Sequence, residues 1–374
     1  MIIEIDIDDN YNLTQNDLVI LRNIVNSHRE RSHYYICSHI STAKFIEKLP
    51  AASNQVNDII TALISINKQT TQIIKLIQLV SIKYKIYFAT QNINAQTLDD
   101  TRVTRTFSQN YISGSREVLP SIILGENRTD ADFYKEIARI YSEGIFHKNY
   151  TNIETQSGGG STTHTEFFNL HQTYGFRPFY CIVDSDKKHP TQPNNGPTAN
   201  DIEQKGIQHP TLRGHYTILD MTELENLLPA KIIEDVVQSE NIQFQPQYED
   251  TIKNLHFIEK NKLNMKFYLD LKKGVNLTSA LREDQSHGSF WLNQSWLTIK
   301  PACHHQQRCT CNPCCYIIKK GPSKLLEKSL SIIKKVSRQE IEIITPDFLM
   351  RKWDDYGSLI FSWCCAPAIP RHGI

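Results

Sequence analysis

Three acidic stations recur along this chain, each directly after a short apolar run. Val118–Leu124 leads into Gly125-Glu126, Phe179–Val183 into Asp184-Ser185-Asp186, and Gly214–Leu219 towards Glu223-Leu224-Glu225-Asn226. Helix signals lie between them. Phe133, Ile137 and Tyr141 share one face of a predicted helix from Asp130 to Tyr141, and a second runs from Thr163 to Tyr174 with Gly175 as its stop. Apolar strand, amphipathic helix, apolar strand is the rhythm of a parallel α/β sheet, and such sheets gather their strand ends on one rim, where sites are built. The pattern therefore predicts an α/β fold with several carboxylates meeting at that rim. Carboxylates so placed repel one another unless a hard cation neutralises them, and Mg²⁺, or Mn²⁺ in its place, suits an all-oxygen site.

The flanks read differently. Residues 1–117 form a mixed or helical region: apolar residues recur at three and four around Leu18 to Val25, Val56 to Ile66 and Ile73 to Ile82, while His33–Ser38 and Tyr84–Ala89 read as short strands. The central α/β unit covers 118–235. Within it Lys187 to Arg213, with Pro190, Pro193, Pro197 and Pro210, reads as a long surface excursion. Residues 236–374 form a basic C-terminal region with a predicted helix from Ser323 to Val336. Net charge is +1 overall, yet residues 251–352 hold 18 Lys and Arg against 8 Asp and Glu, a local +10 that leaves −9 elsewhere. A basic region beside an acidic site suits a polyanionic substrate such as nucleic acid, although a solvated Lys-rich face accounts for the charge equally well by itself. No apolar run approaches the roughly 18 residues of a membrane span. Met1–Asn10 is acidic and alternating, unlike a secretory leader, so the cytoplasm is the expected compartment.

The order of these motifs resembles the TOPRIM domain of OLD-family nucleases and of related, AriB-like defence nucleases, and more distantly that of topoisomerases and DnaG-type primases. Leu124-Gly125-Glu126 with Asp130 and Phe133 is similar to the family's first station. Ser157-Gly158-Gly159-Gly160-Ser161 with Phe167-Phe168 is similar to the turn and helix before its second, and Cys181–Asp186 to its Asp-x-Asp strand end. Glu223-Leu224-Glu225-Asn226 resembles the E-x-E-N segment that follows the domain. The resemblance spans about residues 118–230. It implies a nuclease that binds one or two Mg²⁺ ions, with Glu126, Asp184 and Asp186 as ligands and Asp130, Glu223 and Glu225 as further candidates, Glu225 ahead of Glu223. Glu126 as a general acid or base is the alternative role. For Asp130, a simple helix-start role weighs equally. Relatives also use a lysine beyond the acids, and Lys272 or Lys273 could supply it, though solvation or backbone binding competes.

The implied function is metal-dependent hydrolysis of phosphodiester bonds, DNA favoured and RNA or tRNA the alternative, in a toxic effector of bacterial anti-phage defence. A non-catalytic nucleic-acid-binding or regulatory partner is the rival. OLD proteins carry an ATPase, whereas this chain has no G-x-x-x-x-G-K-[ST] phosphate loop. Control is therefore expected from a separate partner, an ATPase or another defence component; monomer against homo-oligomer stays open.

A second cluster carries metal chemistry of another kind. Cys303, Cys309, Cys311, Cys314 and Cys315, with His304 and His305, fall within 13 residues. In a reduced compartment they read as ligands of a structural Zn²⁺ before disulfides. The Cys311-x-x-Cys314 knuckle comes first, and Cys309, Cys315, Cys303 and the histidines compete for the remaining places.

Overall fold

A computed structural model describes residues 1–51, 53–99, 102–208, 212–240, 246–291, 302–303 and 308–368. The N-terminal region is built on a five-stranded sheet, of which the sequence pattern predicts two strands. Its members are β1 (Ile2–Ile7), β2 (Tyr34–Ile36), β3 (Ile82–Phe88), β4 (Asn94–Asp99) and β5 (Arg102–Ser108), in the order β2-β1-β3-β5-β4, with only β4 antiparallel. The alternation that argued against a leader is the signature of the sheet's inner strand β1: Ile3, Ile5 and Ile7 are buried, while Glu4 and Asp6 meet Lys83 and Lys85 across to β3, each pair at 2.6 Å. Helices α1 (Gln15–Arg29), α2 (His39–Lys48), α3 (Asn54–Gln72) and α4 (Ile74–Leu79) link the strands.

The central unit is a four-stranded, wholly parallel sheet in the order β7-β6-β8-β9, flanked by helices. Its chain order is β6 (Ser121–Gly125), α5 (Arg128–Phe146), β7 (Ile153–Ser157), α6 (Thr163–Thr173), β8 (Phe179–Val183), α7 (Pro197–Gln208) and β9 (Gly214–Ile218). Two elements depart from the sequence reading. The edge strand β7 is polar and buries only Ile153 and Thr155, so it lacks an apolar-run signal. Helix α7 lies inside the supposed excursion: Pro197 opens it, a position where proline's fixed φ is suited to a helix, and Ala199 and Ile202 bury against β6 and β8.

Behind this sheet come α8 (Ala230–Gln238), α9 (Glu249–Lys260), β10 (Val275–Asn276), α10 (Leu277–His287), β11 (Tyr316–Ile318), α11 (Leu325–Ile333), α12 (Arg338–Ile344) and α13 (Asp347–Cys364). Strands β10 and β11 form a short antiparallel pair. Helix α13 lies along α5, with Phe133 edge-on to Trp353 at 5.7 Å and Tyr141 against Phe361 at 5.7 Å. Its last turn joins the two large sheets: Trp363 stacks on Tyr180 of β8 at 5.4 Å, meets Tyr84 of β3 edge-on at 6.2 Å, and carries the Arg105 guanidinium 5.2 Å above its ring. One hydrophobic cluster accordingly runs from Met1 to Cys364, through all three sequence regions. Among the described residues no helix is long and apolar enough to cross a membrane.

One buried ion pair anchors the segment beneath the acidic rim. Lys266, fully buried, lies 3.0 Å from Glu259 and donates to the Leu228 carbonyl at 2.9 Å. Lys266→Met leaves Glu259 buried without its cation, so we expect a loss of about 3–5 kcal/mol in urea unfolding. A loss under about 1 kcal/mol, the range of an exposed pair, would contradict this account.

Candidate active site

The rim of the parallel sheet begins where β6 meets α5. Asn127 caps α5: its Oδ1 accepts the Asp130 amide and Asp130 Oδ2 accepts the Asn127 amide, both at 3.1 Å. A Cβ on Gly125 would sit 2.7 Å from the Ala131 backbone nitrogen, so glycine is what lets α5 start this close to the strand. Glu126 is thereby held at the rim. Asp184 follows β8 directly; its amide donates to Glu126 Oε1 at 3.0 Å, and its Oδ1 accepts the Leu224 amide at 3.0 Å. The segments after β6, β8 and β9 are thus joined through their acidic residues.

Asp186 departs from expectation. Two carboxylates two residues apart share a side only on a continuing strand, but β8 stops at Val183 and Asp186 has φ 55°, in the left-handed region. Its amide donates to the Thr222 carbonyl at 2.9 Å, the residue is exposed, and it reaches Glu126 through charge.

The Glu-x-Glu-Asn segment divides its labour. Glu223 is buried and engaged, with Oε1 accepting the Leu271 amide at 2.7 Å and Oε2 lying 3.3 Å from the Lys272 ammonium. Glu225 is also buried. One of its oxygens lies 3.1 Å from Lys272 Nζ and the other has no hydrogen-bond partner among the described residues. Asn226 accepts the Glu223 amide and donates to the Lys266 and Leu269 carbonyls at 3.0 and 2.8 Å, pinning the loop that delivers Lys272. Its role was not legible beforehand, because its partners lie some forty residues away. Lys272 is likewise not merely solvated: although its side chain is 57% exposed, its ammonium spans the two glutamates.

Burial and mutual repulsion shift these groups together. Burial, chiefly, pushes Glu126 up to about 7 and Asp130 up to about 6. Burial, reinforced by the Glu225 charge, takes Glu223 up to about 8. Burial and the charges of Glu126 and Glu225 hold Asp184 well above the usual carboxylate range. Burial opposes the charge on Lys272, but Glu225 and Glu223 more than offset it and raise its affinity for the proton. Beside the acids opens a cleft of about 480 Å³ lined by Asn127, Asp130, Glu225, Lys272, Lys320 and Lys324. The last two lysines were not singled out from the sequence; only the regional charge hinted at them.

The donor set fits a hard divalent cation in chemistry: every donor is oxygen, and Glu225 holds a buried acceptor that no donor meets. It does not form a closed cage. Among the described residues no three of these carboxylates bring oxygens all within 4.8 Å of one another, so the expected sharing of one ion by Glu126, Asp184 and Asp186 is not the geometry seen.

The cysteine cluster lies apart from this rim. Sulfurs of Cys303, Cys309, Cys311 and Cys315 all lie within 4.8 Å of one another. Cys314, foremost in the sequence reading with Cys311, is not in that group; its Sγ adjoins Cys309 but lies 3.2 Å from the Thr278 hydroxyl. His304 and His305 lie outside the described residues.

No protein-family model matches the chain, and no curated protein matches it. Among solved structures, the C-terminal region of the Burkholderia pseudomallei OLD protein aligns over 64% of this chain and 96% of that one, at a TM-score of 0.31 and 11% identity. A superposition that loose carries no inference about fold or activity.

The raised carboxylates make stability fall with pH. Glu126, Asp130, Asp184 and Glu223 bind protons more tightly folded than unfolded, so their protonated forms support the fold below about pH 4 and that support is lost as pH rises through about 6 to 8. In chelator-treated protein we expect the melting temperature to drop between pH 5 and pH 8, less steeply in Asp184→Asn and Glu126→Gln. Equal slopes for all three proteins would refute the assigned crowding. Mg²⁺ added at pH 8 should raise the wild-type value most.

Proposed function

We propose that this chain is a divalent-cation-dependent hydrolase of nucleic-acid phosphodiester bonds, with DNA the favoured substrate and RNA, tRNA included, the alternative. The observation that carries the reading is the joining of strand-end acids, Glu126 to the Asp184 amide and Asp184 to the Leu224 amide, beside a cleft with lysines on its other wall. The motif order that resembles TOPRIM nucleases supports it from the sequence side. One or two of Glu126, Asp184 and Glu225 would hold the cation, substrate oxygens and water completing its shell, with Asp130 and Asp186 at its margin. A bound ion there supplies Lewis-acid neutralisation of the charge on the phosphate.

The remaining roles belong to side chains. Lys320 and Lys324, exposed on the cleft wall, seat the phosphate backbone by charge. Lys272 presents an ammonium to the charge that develops on the phosphate oxygens, and its contacts with Glu223 and Glu225 fix where that ammonium sits. Where Glu126 is not a ligand, its carboxyl, pushed up to about 7, can instead hold or release a proton at neutral pH, the alternative role of general acid or base. In keeping with the resemblance, we assign the protein to anti-phage defence as a toxic effector under control of a separate partner, an ATPase or another defence component.

One observation favours the rival. Lys272 partly neutralises the glutamates from within, as a structural site in a purely nucleic-acid-binding protein would require. A cleavage assay separates the two. Supercoiled plasmid and bulk tRNA are incubated with Mg²⁺ or Mn²⁺ and full-length protein. Wild type should cut at least one of them, and Asp184→Ala, Glu126→Ala and Lys272→Ala should each cut about 10²-fold or more slowly. Cleavage that survives both acid substitutions removes the site assignment. Binding without cleavage in every metal favours the rival. Lys320→Ala and Lys324→Ala should weaken binding across sequences and each lower the salt slope by about 1.

A further inference from the structure

Four sulfurs converge far along the chain from the acidic rim. Cys303 Sγ lies 3.5 Å from Cys311 Sγ and 3.9 Å from Cys315 Sγ, and Cys309 completes a group within 4.8 Å. These lengths discriminate between chemistries. A disulfide requires about 2.05 Å between sulfurs. A Zn²⁺ ion bound at about 2.3 Å to each of four thiolates at tetrahedral corners requires about 3.8 Å along every edge. The two resolved edges bracket that value, and all nine cysteines of the chain are free thiols. The Cys315 amide also donates to Cys309 Sγ at 3.1 Å, a bond that favours the thiolate a metal needs.

We propose that Cys303, Cys309, Cys311 and Cys315 bind one structural Zn²⁺, and that Cys314 stays outside the coordination sphere. The reading revises the Cys311-x-x-Cys314 knuckle: the fourth ligand comes from Cys303, on the far side of the loop. It is independent of the hydrolase assignment.

The loop so closed has a structural consequence at the rim. The Cys315 carbonyl accepts the Leu277 amide at 2.8 Å, and β11 directly follows, pairing Ile318 with Val275. Further on, the Gly321 amide donates to the Leu271 carbonyl at 2.9 Å, while the Leu271 amide is the donor to Glu223. A closed zinc loop therefore braces the strand pair whose other arm presents Lys272.

The test is made on the full-length chain purified without chelator. Elemental analysis should find about one Zn per chain, falling below about half in Cys303→Ser and Cys311→Ser and unchanged in Cys314→Ser. Because the serine variants could misfold, wild type carries a second arm: Co²⁺ exchanged into the site should show thiolate-to-metal charge transfer and tetrahedral d–d bands. In a third arm, zinc removal should speed amide hydrogen exchange in peptides covering 269–277 and leave those covering β6 and β8 unchanged. Less than about half a Zn per wild-type chain, iron in its place, or loss of metal from Cys314→Ser with retention in Cys303→Ser would each overturn the proposal.

Discussion

Crowded carboxylates dominate the architecture of this protein. Asp130, Glu223 and Glu225 are buried, Glu126 and Asp184 are half-buried beside them, and the cation that reaches the group is Lys272. Burying like charges together is costly, and the raised proton affinities of Glu126, Asp130, Asp184 and Glu223 record that cost. A fold keeps such a cluster only if the surrounding backbone over-determines it. Here amides do so: those of Asn127, Asp184, Leu224 and Leu271 donate to Asp130, Glu126, Asp184 and Glu223. Four of the five are so tied to another segment or to their own helix cap, and Glu126 and Asp184 cannot swing away without breaking a strand-end connection.

That backbone is in turn braced from behind. Helix α13 packs on α5, Trp353 donates to the Leu227 carbonyl at 2.8 Å, and Trp363 closes the joint between the sheets. The fully buried Lys266 and the side chain of Asn226 fasten the loop that carries Leu271 and Lys272. The C-terminal region is therefore part of the site, supplying its cation and two lysines of its cleft, and is not a separable appendage.

Legibility from the sequence followed the range of the interactions. Features set by neighbours within a few residues were readable: the apolar runs of β6, β8 and β9, the helix start near Asp130, the helix faces, and the gathering of cysteines in one loop. Strand β7 and helix α7 escaped because their signals are weak or masked, one by polarity at a sheet edge and the other by flanking prolines. The setting of Asp186 is not legible either, because β8 ends at Val183 and no periodicity announces the left-handed turn at Asp186. Contacts across forty or more residues, such as Leu271 to Glu223 or Asn226 to Leu269, leave no periodicity to read.

The internal lysine bears on how such a site could be held in check. Lys272 satisfies one oxygen of Glu225 and leaves the other buried and unpaired, an unfavourable arrangement that a hard cation would relieve. A cation at that oxygen would share Glu225 with the Lys272 ammonium, which also contacts Glu223. The same ammonium lines the cleft together with Lys320 and Lys324. On the proposed reading, a bound cation would reduce the repulsion among the acids beside a cleft whose lysines carry positive charge. On this account the acidic rim is poised rather than complete by itself, and the unpaired oxygen of Glu225 is the place where that incompleteness is concentrated.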